Sequence, residues 1–557
     1  MPPKELNRLI KESIATGGII VLSLAICHAY LHPRLIEGHD GSGAFVKTMA
    51  MVDMLSRGQW DLTWQPYLYS GYGYPLFTFY PPLFYFLAGI LSYAAHDLVL
   101  GLNGAVILVY MLSGLSMYYF ARRFWGTVGG LFSAAAFLLA PFHIATLYVR
   151  SGYAEMTGLM LLPVILLSIY ELSSGFSKKY FIIAVLSIAG LMLSHHLMSL
   201  IFLPLIVLWG LILFAFSSLR GGGPRIIFAL IMGVALAAVY WVPVLFLKTY
   251  VNTSVLIRGF DFNQHFIEWR QLLKSSWGYG GSVAGSGDGM SFQLGWGHGM
   301  AAVASGIFLI SQRGKKILVD KLFLSCLAVV GVGAVLMTMS ISGWVWQRLP
   351  LLSYVQFPWR FLTLAILVMS FFSGAVSCFR PRWLWTAAGL MILFLSNIAY
   401  CQPGKTTKLD LGMGQGLTEH IRSLDMDEYL PVWARDLPVI PSQQALLLSN
   451  NQSMREIHGS SSLKHIYFVN NNKPVLAVYN GFYFPGWKIF IDGREARIFP
   501  HPVWGTMIFS IPEGKHEIRI VYTVIPVRIV SAMVSLAALI ALLYCGLRAR
   551  SERPRLA

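Results

Sequence analysis

Apolar runs of membrane-spanning or near-spanning length constrain the fold of this chain more than any other feature. A helix needs about twenty apolar residues to cross a bilayer core. Of the 557 residues, 56% are hydrophobic and only 12% are charged. A water-soluble fold cannot bury the apolar surface of so many hydrophobic residues. Thirteen runs occur, near residues 15–32, 77–96, 101–120, 127–147, 157–172, 180–194, 198–216, 226–246, 297–311, 322–339, 361–378, 383–399 and 527–547. The sequence therefore predicts an α-helical polytopic membrane protein with twelve to fourteen transmembrane helices.

The distribution of basic residues predicts how these helices are oriented. The formal net charge is +17, but the basic residues cluster in short gaps between apolar runs, as in Arg122-Arg123 and Lys178-Lys179. This is the positive-inside pattern, which sets topology, so nucleic acid is not an expected partner. With these gaps on the cytoplasmic side, the outer face receives 33–76, 149–156, the His195-His196 turn, 247–296 and 340–360.

The long stretch 400–524 is expected on the same outer face. Its second half alternates apolar and polar residues in segments such as "KPVLAVYN", "WKIFIDGR", "GTMIFSI" and "KHEIRIVY", separated by Asn, Gly and Pro. The predicted organisation is a transmembrane domain over residues 1–399 and an extracytoplasmic β-rich sandwich over 400–524. A final transmembrane helix with a basic cytoplasmic tail follows over 525–557.

An acidic residue directly after the first helix is the first candidate for chemistry. Asp40 lies in "EGHDGSGAFVKTM", and the residues after it predict a helix in the outer interface with an apolar stripe that includes Phe45 and Met49. A carboxylate at a lipid boundary is costly unless it is paired or used. The alternative is a solvated turn acid next to two glycines. His39 either tunes Asp40 or faces water.

Two further outer turns carry polar residues between helices. In "YVRSGYAEM", Arg150 and Glu155 either pair with each other or face a shared cavity. In "LSHHLMSL", adjacent His195 and His196 point in different directions on a helix, so a two-histidine metal site is not expected. One of them facing a polar cavity, as acid, base or phosphate donor, and a purely structural histidine both remain open.

The segment "SYVQFPWRFL" places Gln356 and Arg360 at the outer start of a helix. A guanidinium offers a planar fork of donors suited to phosphate, while an interface anchor beside an aromatic belt is the rival interpretation. The glycine-rich loop "SSWGYGGSVAGSGDGMSFQLGWGHG" does not lead from a strand into a helix, which excludes a dinucleotide or P-loop motif. A loop that closes over a ligand fits better.

These motifs resemble a known pattern. The early acid, the following helix and "GYGYPLFTFYPPLFYFLAG" resemble the GT-C superfamily of membrane glycosyltransferases. More narrowly, "RSGYAE", "LSHHL", "WGYGGS", "QFPWRF", "DEYLPVW" and "YFPGWKIFIDG" resemble the bacterial membrane family labelled 6-pyruvoyl-tetrahydropterin synthase-related, with a C-terminal domain similar to YfhO-type proteins. Nothing in the chain resembles the zinc-binding histidine cluster of a soluble pterin synthase.

The resemblance implies a multi-pass protein of the bacterial inner membrane that transfers a sugar from a polyprenyl-phosphate donor to a glycan, lipid or protein acceptor. It implies that Asp40 is the general base or orients the acceptor, that Arg150 and Glu155 lie where a second outer loop often carries an acidic site residue, and that Arg360 suits the donor phosphate. Together with the candidates above, the predicted substrate- or phosphate-binding residues are His39, Arg150, Glu155, His195, His196, Gln356 and Arg360. No cofactor is firmly implied. A divalent metal is left open, although the second turn lacks the Asp-x-Asp pair of metal-dependent relatives. A lipid or glycolipid transporter and a non-catalytic scaffold for envelope assembly are the alternative functions.

Overall fold

The computed structural model describes residues 3–175, 177–217, 223–253, 261–311, 318–409, 429–436, 446–449 and 463–547. Outside these ranges lie most of 410–462 and two further gaps between apolar runs that carry basic residues, one with Arg220 and one from Arg313 to Lys316. The helices are α1 Pro3–Ile26, α2 Gly41–Ser56, α3 Leu76–Phe79, α4 Leu83–Ala95, α5 Leu98–Leu138, α6 Pro141–Tyr148, α7 Tyr153–Ser174, α8 Lys178–Ser194, α9 His196–Ser217, α10 Gly223–Leu236, α11 Ala238–Leu247, α12 Trp269–Leu273, α13 Trp296–Ser311, α14 Leu318–Met337, α15 Gly343–Arg348, α16 Leu362–Ser373, α17 Arg382–Asn397 and α18 Pro526–Leu547.

The helical part has the make-up of a polytopic membrane protein. Within the described ranges, seven helices are long and apolar enough to span a membrane, and the number rises to nine if two bent pairs each count as one span. The sequence predicted twelve to fourteen. The difference arises because α5 joins two predicted runs into one helix of 41 residues, whereas α4 and α8 have only 13 and 17 residues.

The long helix α5 bends once and ends abruptly. Gly126 has a φ of 72°, outside helical geometry, and divides α5 into two arms. At its C-terminus, side chains replace the missing helical donors. His298 and His143 contact the carbonyls of residues 136 and 137 at 2.6 and 2.9 Å, and the Tyr110 hydroxyl donates to the carbonyl of residue 138. These contacts satisfy orphan carbonyls inside the protein, and they fix where α6 and the turn after it begin.

Helix α2 forms where the sequence predicts it, but its surroundings differ from the prediction. Twelve of its 16 residues are buried, including the polar Lys47, Thr48 and Asp53. The expected interface helix is therefore enclosed by protein on nearly all sides. The physical reason is that α4 and the loop 59–75 pack over it, so its polar side chains face neighbouring residues instead of water.

The C-terminal region is a β-sandwich, as the alternation predicts. Its strands are β3 Leu446–Leu448, β4 Lys464–Asn471, β5 Val475–Phe482, β6 Trp487–Ile491, β7 Arg494–Ala496, β8 Phe499–Pro500, β9 Thr506–Ile511 and β10 Gly514–Tyr522. They form two antiparallel sheets with the orders β4-β10-β6-β7 and β3-β5-β9-β8. Buried and exposed residues alternate in β4, which is the pattern of a sheet with one face in a core.

The sandwich packs directly on the loop after α2. The indole of Trp64 is 1% exposed and lies 5.5–5.9 Å from the rings of Phe484, Trp487 and Tyr522. Arg528, at the start of α18, donates to Thr63 and Thr78 of the membrane part. The loop, the sandwich and the last helix therefore form one packed unit.

Candidate functional site

The loop that carries Asp40 is bound by its backbone to the turn before α7. The N–H of His39 donates to the carbonyl of Val149 at 3.0 Å, and the N–H of Asp40 donates to the carbonyl of Arg150 at 2.9 Å. On its other side, β1 (Leu35–Ile36) pairs with β2 (Thr406–Thr407). Two predicted outer features, the first loop and the second turn, are thus in direct contact.

Two glycines in "EGHDGSG" make this approach possible. A Cβ at Gly38 would lie 2.3 Å from Oγ of Ser151 and 2.8 Å from the carbonyl oxygen of Val149. A Cβ at Gly41 would lie 2.6 Å from the carbonyl oxygen of Ile36. All three distances are far below van der Waals contact, so a larger residue at Gly38 would push the loop away from the turn, and one at Gly41 would distort the loop itself. The glycines place Asp40 at a set position instead of merely forming a flexible turn.

Asp40 presents its carboxylate at the start of α2. The residue is exposed, and its side chain makes no cap to the helix it precedes. Its charge interacts with the guanidinium groups of the buried Arg150 and the half-buried Arg360. Asp40 is therefore an accessible acid at the edge of a buried cationic region.

Arg150 and Glu155 form a buried ion pair, which was one of the two arrangements left open by the sequence. Nη1 and Nη2 of Arg150 donate to Oε1 and Oε2 of Glu155 at 2.8 and 2.6 Å. Their side chains are 4% and 2% exposed. The guanidinium also lies over the ring of Trp359, 4.8 Å from its centroid. This bidentate pair satisfies both charges inside the protein.

Arg360 lies next to this pair and has no comparable partner. Its Nη1 donates to the carbonyl oxygen of Val355 at 3.2 Å, while the buried Nε has no hydrogen-bond partner among the described residues. Its charge interacts with that of Glu155, which Arg150 already binds. Arg360 therefore retains donors and positive charge that a bound anion would satisfy.

Gln356 shapes the backbone that holds Arg360. Its φ of 67° and ψ of −52° are strained for a residue with a Cβ. The N–H of Phe357 donates to the carbonyl of Val355 at 2.8 Å, which closes a three-residue γ-turn. The turn presents the Val355 carbonyl to the Arg360 guanidinium, so the structure gives Gln356 a backbone role. Phosphate binding by its side chain stays a prediction.

A buried lysine of α2 belongs to the same region, and the sequence analysis did not select it. Lys47 is 6% exposed, and no described residue forms an ion pair or a hydrogen bond with its ammonium. The ammonium lies over the ring of Tyr80, 4.5 Å from the centroid. Its signal in the sequence was a single charge inside the apolar segment "AFVKTMAMV", which is costly unless it is used.

The two histidines of the third turn, His195 and His196, have different hydrogen-bond partners. His196 is bonded at both ring nitrogens, by Tyr240 at 3.2 Å and Tyr429 at 3.3 Å. His195 receives the Met198 N–H at Nδ1, at 3.4 Å. A neutral His195 then carries its proton on Nε2.

Both histidines interact electrostatically with the charged region, and the ring of His196 does so with Arg360 and Lys47. The ring of His195 interacts electrostatically with Glu155, Arg150 and Arg360. A role of His195 or His196 as acid, base or phosphate donor stays a prediction.

His39 points away from the charged region. Its Nε2 lies 3.1 Å from the carbonyl oxygen of Gly280 in the glycine-rich loop, to which it donates. That loop is closed by reciprocal backbone bonds between Gly280, Gly281 and Gly289, each 2.9 Å long. The structure thus connects His39 to the loop; ligand closure by the loop and ligand binding by His39 stay predictions.

We use the name cationic cluster for Lys47, Arg150, Glu155 and Arg360. It contains three cations and one carboxylate, and the exposed Asp40 lies at its edge. Within the described ranges, no group of three or more His, Cys, Asp and Glu residues is arranged to hold a metal ion. The chemistry that these residues support is anion binding next to an accessible carboxylate.

Comparison with known proteins identifies the family. A family model described as "6-pyruvoyl-tetrahydropterin synthase related domain; membrane protein" matches residues 77–403, which is more than half of the chain. This chain belongs to the 6-pyruvoyl-tetrahydropterin synthase-related family of membrane proteins. The family region contains Arg150, Glu155, His195, His196 and Arg360, whereas Asp40 and Lys47 precede it.

A more distant similarity covers about a third of the chain. An uncharacterized protein of Lactococcus lactis subsp. cremoris is 23% identical over 200 residues, covering 35% of this chain and 33% of that protein. The chain thus spans about a third of the length of this relative.

Two solved structures share part of the fold. The arabinofuranosyltransferase AftD from Mycobacteria has a TM-score of 0.44 at 14% identity, covering 71% of this chain and 27% of AftD. ArnT from Cupriavidus metallidurans, bound to undecaprenyl phosphate, has a TM-score of 0.38 at 16% identity, covering 68% of this chain and 63% of ArnT. Since both TM-scores are below 0.5, we draw no conclusion about mechanism from them.

Proposed function

We propose that this member of the family is an integral membrane glycosyltransferase that moves a sugar from a polyprenyl-phosphate donor to an envelope acceptor. One observation carries the proposal. The backbone of the accessible acid Asp40 is fixed by hydrogen bonds beside three cations, two of which, Lys47 and Arg360, form no ion pair with a carboxylate of the described residues. A site of this kind suits a reaction in which a base and an anionic leaving group are adjacent.

The cationic cluster would bind the phosphate of the donor. Arg360 offers a planar fork and Lys47 a point charge; Lys47 is buried and Arg360 is half-buried, which strengthens their attraction to an anion. A neutral His195 would add the hydrogen bond of its Nε2–H. Because these groups are fixed before the reaction, they stabilise the charge that grows on the departing phosphate.

The reaction is a single displacement at the anomeric carbon. Asp40 takes the proton of the acceptor hydroxyl, the hydroxyl oxygen forms a bond to the anomeric carbon, and the bond from that carbon to the phosphate oxygen breaks. The electron pair of the broken bond leaves with the polyprenyl phosphate. One base and one displacement predict inversion at the anomeric carbon, by analogy with glycoside hydrolysis.

The proposal also includes the membrane face on which the enzyme acts, its acceptor and its metal requirement. The enzyme would act on the extracytoplasmic face of the bacterial inner membrane, with the donor tail in lipid and a glycan, lipid or protein as acceptor. The sandwich would lie on that same face. The reaction as proposed uses no metal ion, because Arg150 occupies Glu155 and, among the described residues of the site, only Asp40 offers a carboxylate without a bound cation.

Replacing Asp40 by Asn tests the proposal directly. The full chain in lipid nanodiscs would be incubated with a radiolabelled polyprenyl-phosphate sugar, and free polyprenyl phosphate would be measured. We expect the variant to lose about 10²–10⁴-fold in rate, as removal of a general base does, without loss of expression. The matched control is Glu5→Gln, an exposed acid in the first turn of α1, which should leave the rate unchanged.

Cells lacking the gene provide the second readout. Complementation with wild type should restore the missing envelope glycan, whereas complementation with Asp40→Asn should not. A transporter would move the lipid-linked sugar without releasing polyprenyl phosphate, and a scaffold would support the glycan equally well with either version. Normal glycans in the Asp40→Asn strain would refute the assignment of Asp40.

A further inference from the structure

Tyr429 connects the segment before the sandwich to the third turn of the membrane part. The segment 429–436 pairs with the end of α11 and the residues after it, through bonds of 2.8 and 3.1 Å between residues 430–432 and 250–252. Tyr429 is 4% exposed, and its ring stacks on Phe79 with centroids 5.4 Å apart. Its backbone N–H donates to the hydroxyl oxygen of Tyr74 at 2.7 Å. The ring is thus held independently of its own hydroxyl group.

The hydroxyl of Tyr240 decides which ring nitrogen of neutral His196 is protonated, and the hydroxyl of Tyr429 bonds the other nitrogen. The Tyr240 hydroxyl donates to the carbonyl oxygen of Phe79 at 2.6 Å, so its oxygen accepts from Nδ1 of His196. In neutral His196 the proton is then on Nδ1, and Nε2 holds a lone pair. The Tyr429 hydroxyl, 3.3 Å from Nε2, must be the donor.

The ring of His196 is connected to the cationic cluster through the ring of Tyr80. Its edge contacts the ring of Tyr80, with centroids 5.7 Å apart and planes at 61°. The opposite partner of Tyr80 is Lys47, whose ammonium lies over that ring. A ring held in one orientation keeps the next ring in place, because packed interiors leave few alternative rotamers.

We infer that Tyr429 is a positioning residue for the anion site: by donating to Nε2 it holds the orientation of His196, whose Nδ1–H form is set by Tyr240, and His196 holds Tyr80 under the Lys47 ammonium. The inference rests on the proposed function, since it assigns the anion as the donor phosphate. It also means that a residue outside the family region contributes to the site, because residue 429 lies beyond residue 403.

Tyr429→Phe tests this inference, because it removes the hydroxyl and keeps the ring on Phe79. The full chain in nanodiscs would be titrated with a polyprenyl phosphate that carries no sugar. We expect the dissociation constant to rise about five- to tenfold while the melting temperature stays unchanged. Tyr483→Phe is the matched control: that ring packs on Trp433 and its hydroxyl bonds no described residue, so its dissociation constant should equal that of wild type.

A double-mutant cycle and an NMR signal distinguish positioning of His196 by Tyr429 from a general loss of structure. In a His196→Ala background, Tyr429→Phe should have no further effect on binding, because the hydroxyl acts through the missing ring. An equal loss in both backgrounds would overturn the inference.

With ¹⁵N-labelled histidine, wild type should show a protonated Nδ1 and an unprotonated Nε2 at His196, and Tyr429→Phe should shift the Nε2 signal. An unchanged Nε2 signal would also overturn the inference. If wild type shows this signal but does not bind the lipid, the proposed function fails and the positioning of His196 by Tyr429 stands.

Discussion

At the scale of single residues, the site contrasts a satisfied buried charge with an unsatisfied one. Arg150 is bound twice by Glu155, and neither group needs a ligand to remain buried. Lys47 has the Tyr80 ring beneath it and no carboxylate among the described residues. Proteins keep such a costly charge where binding requires it, since stability and function then oppose each other.

Lys47→Met and Glu155→Gln should therefore change stability in opposite directions. We expect Lys47→Met to raise the free energy of unfolding by about 0.5–2 kcal/mol, because it removes an uncompensated buried charge. Glu155→Gln should lower it by about 3–5 kcal/mol, because it leaves Arg150 buried without its counter-ion. Denaturation of the full chain in detergent would measure both, and binding of polyprenyl phosphate should be weakened by each. A less stable Lys47→Met protein would contradict this account of Lys47.

At the scale of elements, an ion pair connects a strand of the sandwich to a turn between two other strands. Asp492 lies in the turn between β6 and β7, and His516 lies in β10, with Oδ2 and Nδ1 2.6 Å apart. The hydrogen bond from His516 and that from the Glu517 N–H lower the pKa of Asp492. The bonds to Asp492 and to the Glu513 carbonyl raise the pKa of His516. The ion pair between β10 and the β6–β7 turn therefore forms only while both groups are charged, whereas the bond from the Glu517 N–H needs only the Asp492 carboxylate.

This pair predicts a pH window for sandwich stability. The raised pKa of His516 stabilises the fold below its unfolded value of about 6.5, and the effect is lost as pH rises through the folded value. The lowered pKa of Asp492 stabilises the fold above about pH 4, and the effect is lost as pH falls through the folded value. Melting of wild type and His516→Gln should differ most between these limits and least at pH 8.5. A difference that is constant from pH 5.5 to 8.5 would contradict the assignment.

At the scale of the whole molecule, parts that are distant in sequence meet at one end of the helical region. The first loop contacts the turn at 149–151, the glycine-rich loop and the strand at 406–407. Tyr429 reaches the third turn, and the aromatic cluster around Trp64 holds the sandwich against the loop after α2. The sandwich is thus packed against the chain that frames the site.

Trp64→Ala should loosen this assembly. The indole contacts three sandwich rings and fills space next to Gly73, where a Cβ would lie 2.5 Å from it. Loss of a buried tryptophan costs about 3–5 kcal/mol. Hydrogen exchange of the full chain should speed up in β6, β10 and residues 59–75 together, with α7 unaffected. Exchange confined to residues 59–75 would show that the sandwich is held elsewhere.

Much of the fold could be predicted from local patterns, whereas the site could be predicted only in part. Alternation located β5, β6, β9 and β10, because a half-buried strand repeats every two residues. Arg150 and Glu155 could be paired because they are five residues apart. Lys47 could not be assigned, since nothing local indicates that α2 is enclosed on all sides. Tyr429 could not be placed beside His196, because their contact joins residues 233 positions apart.

The sequence by itself determined that this protein is an apolar helical chain with a β-sandwich, since hydropathy and periodicity are local properties. It also indicated the polar turns at which a site can form. Only the tertiary structure decided which charges are compensated: Glu155 neutralises Arg150, while Lys47 and Arg360 keep their charge and Asp40 stays exposed beside them. The reason is that the cost or use of a charge depends on its three-dimensional neighbours, which come here from α2, the turn before α7 and the start of α16.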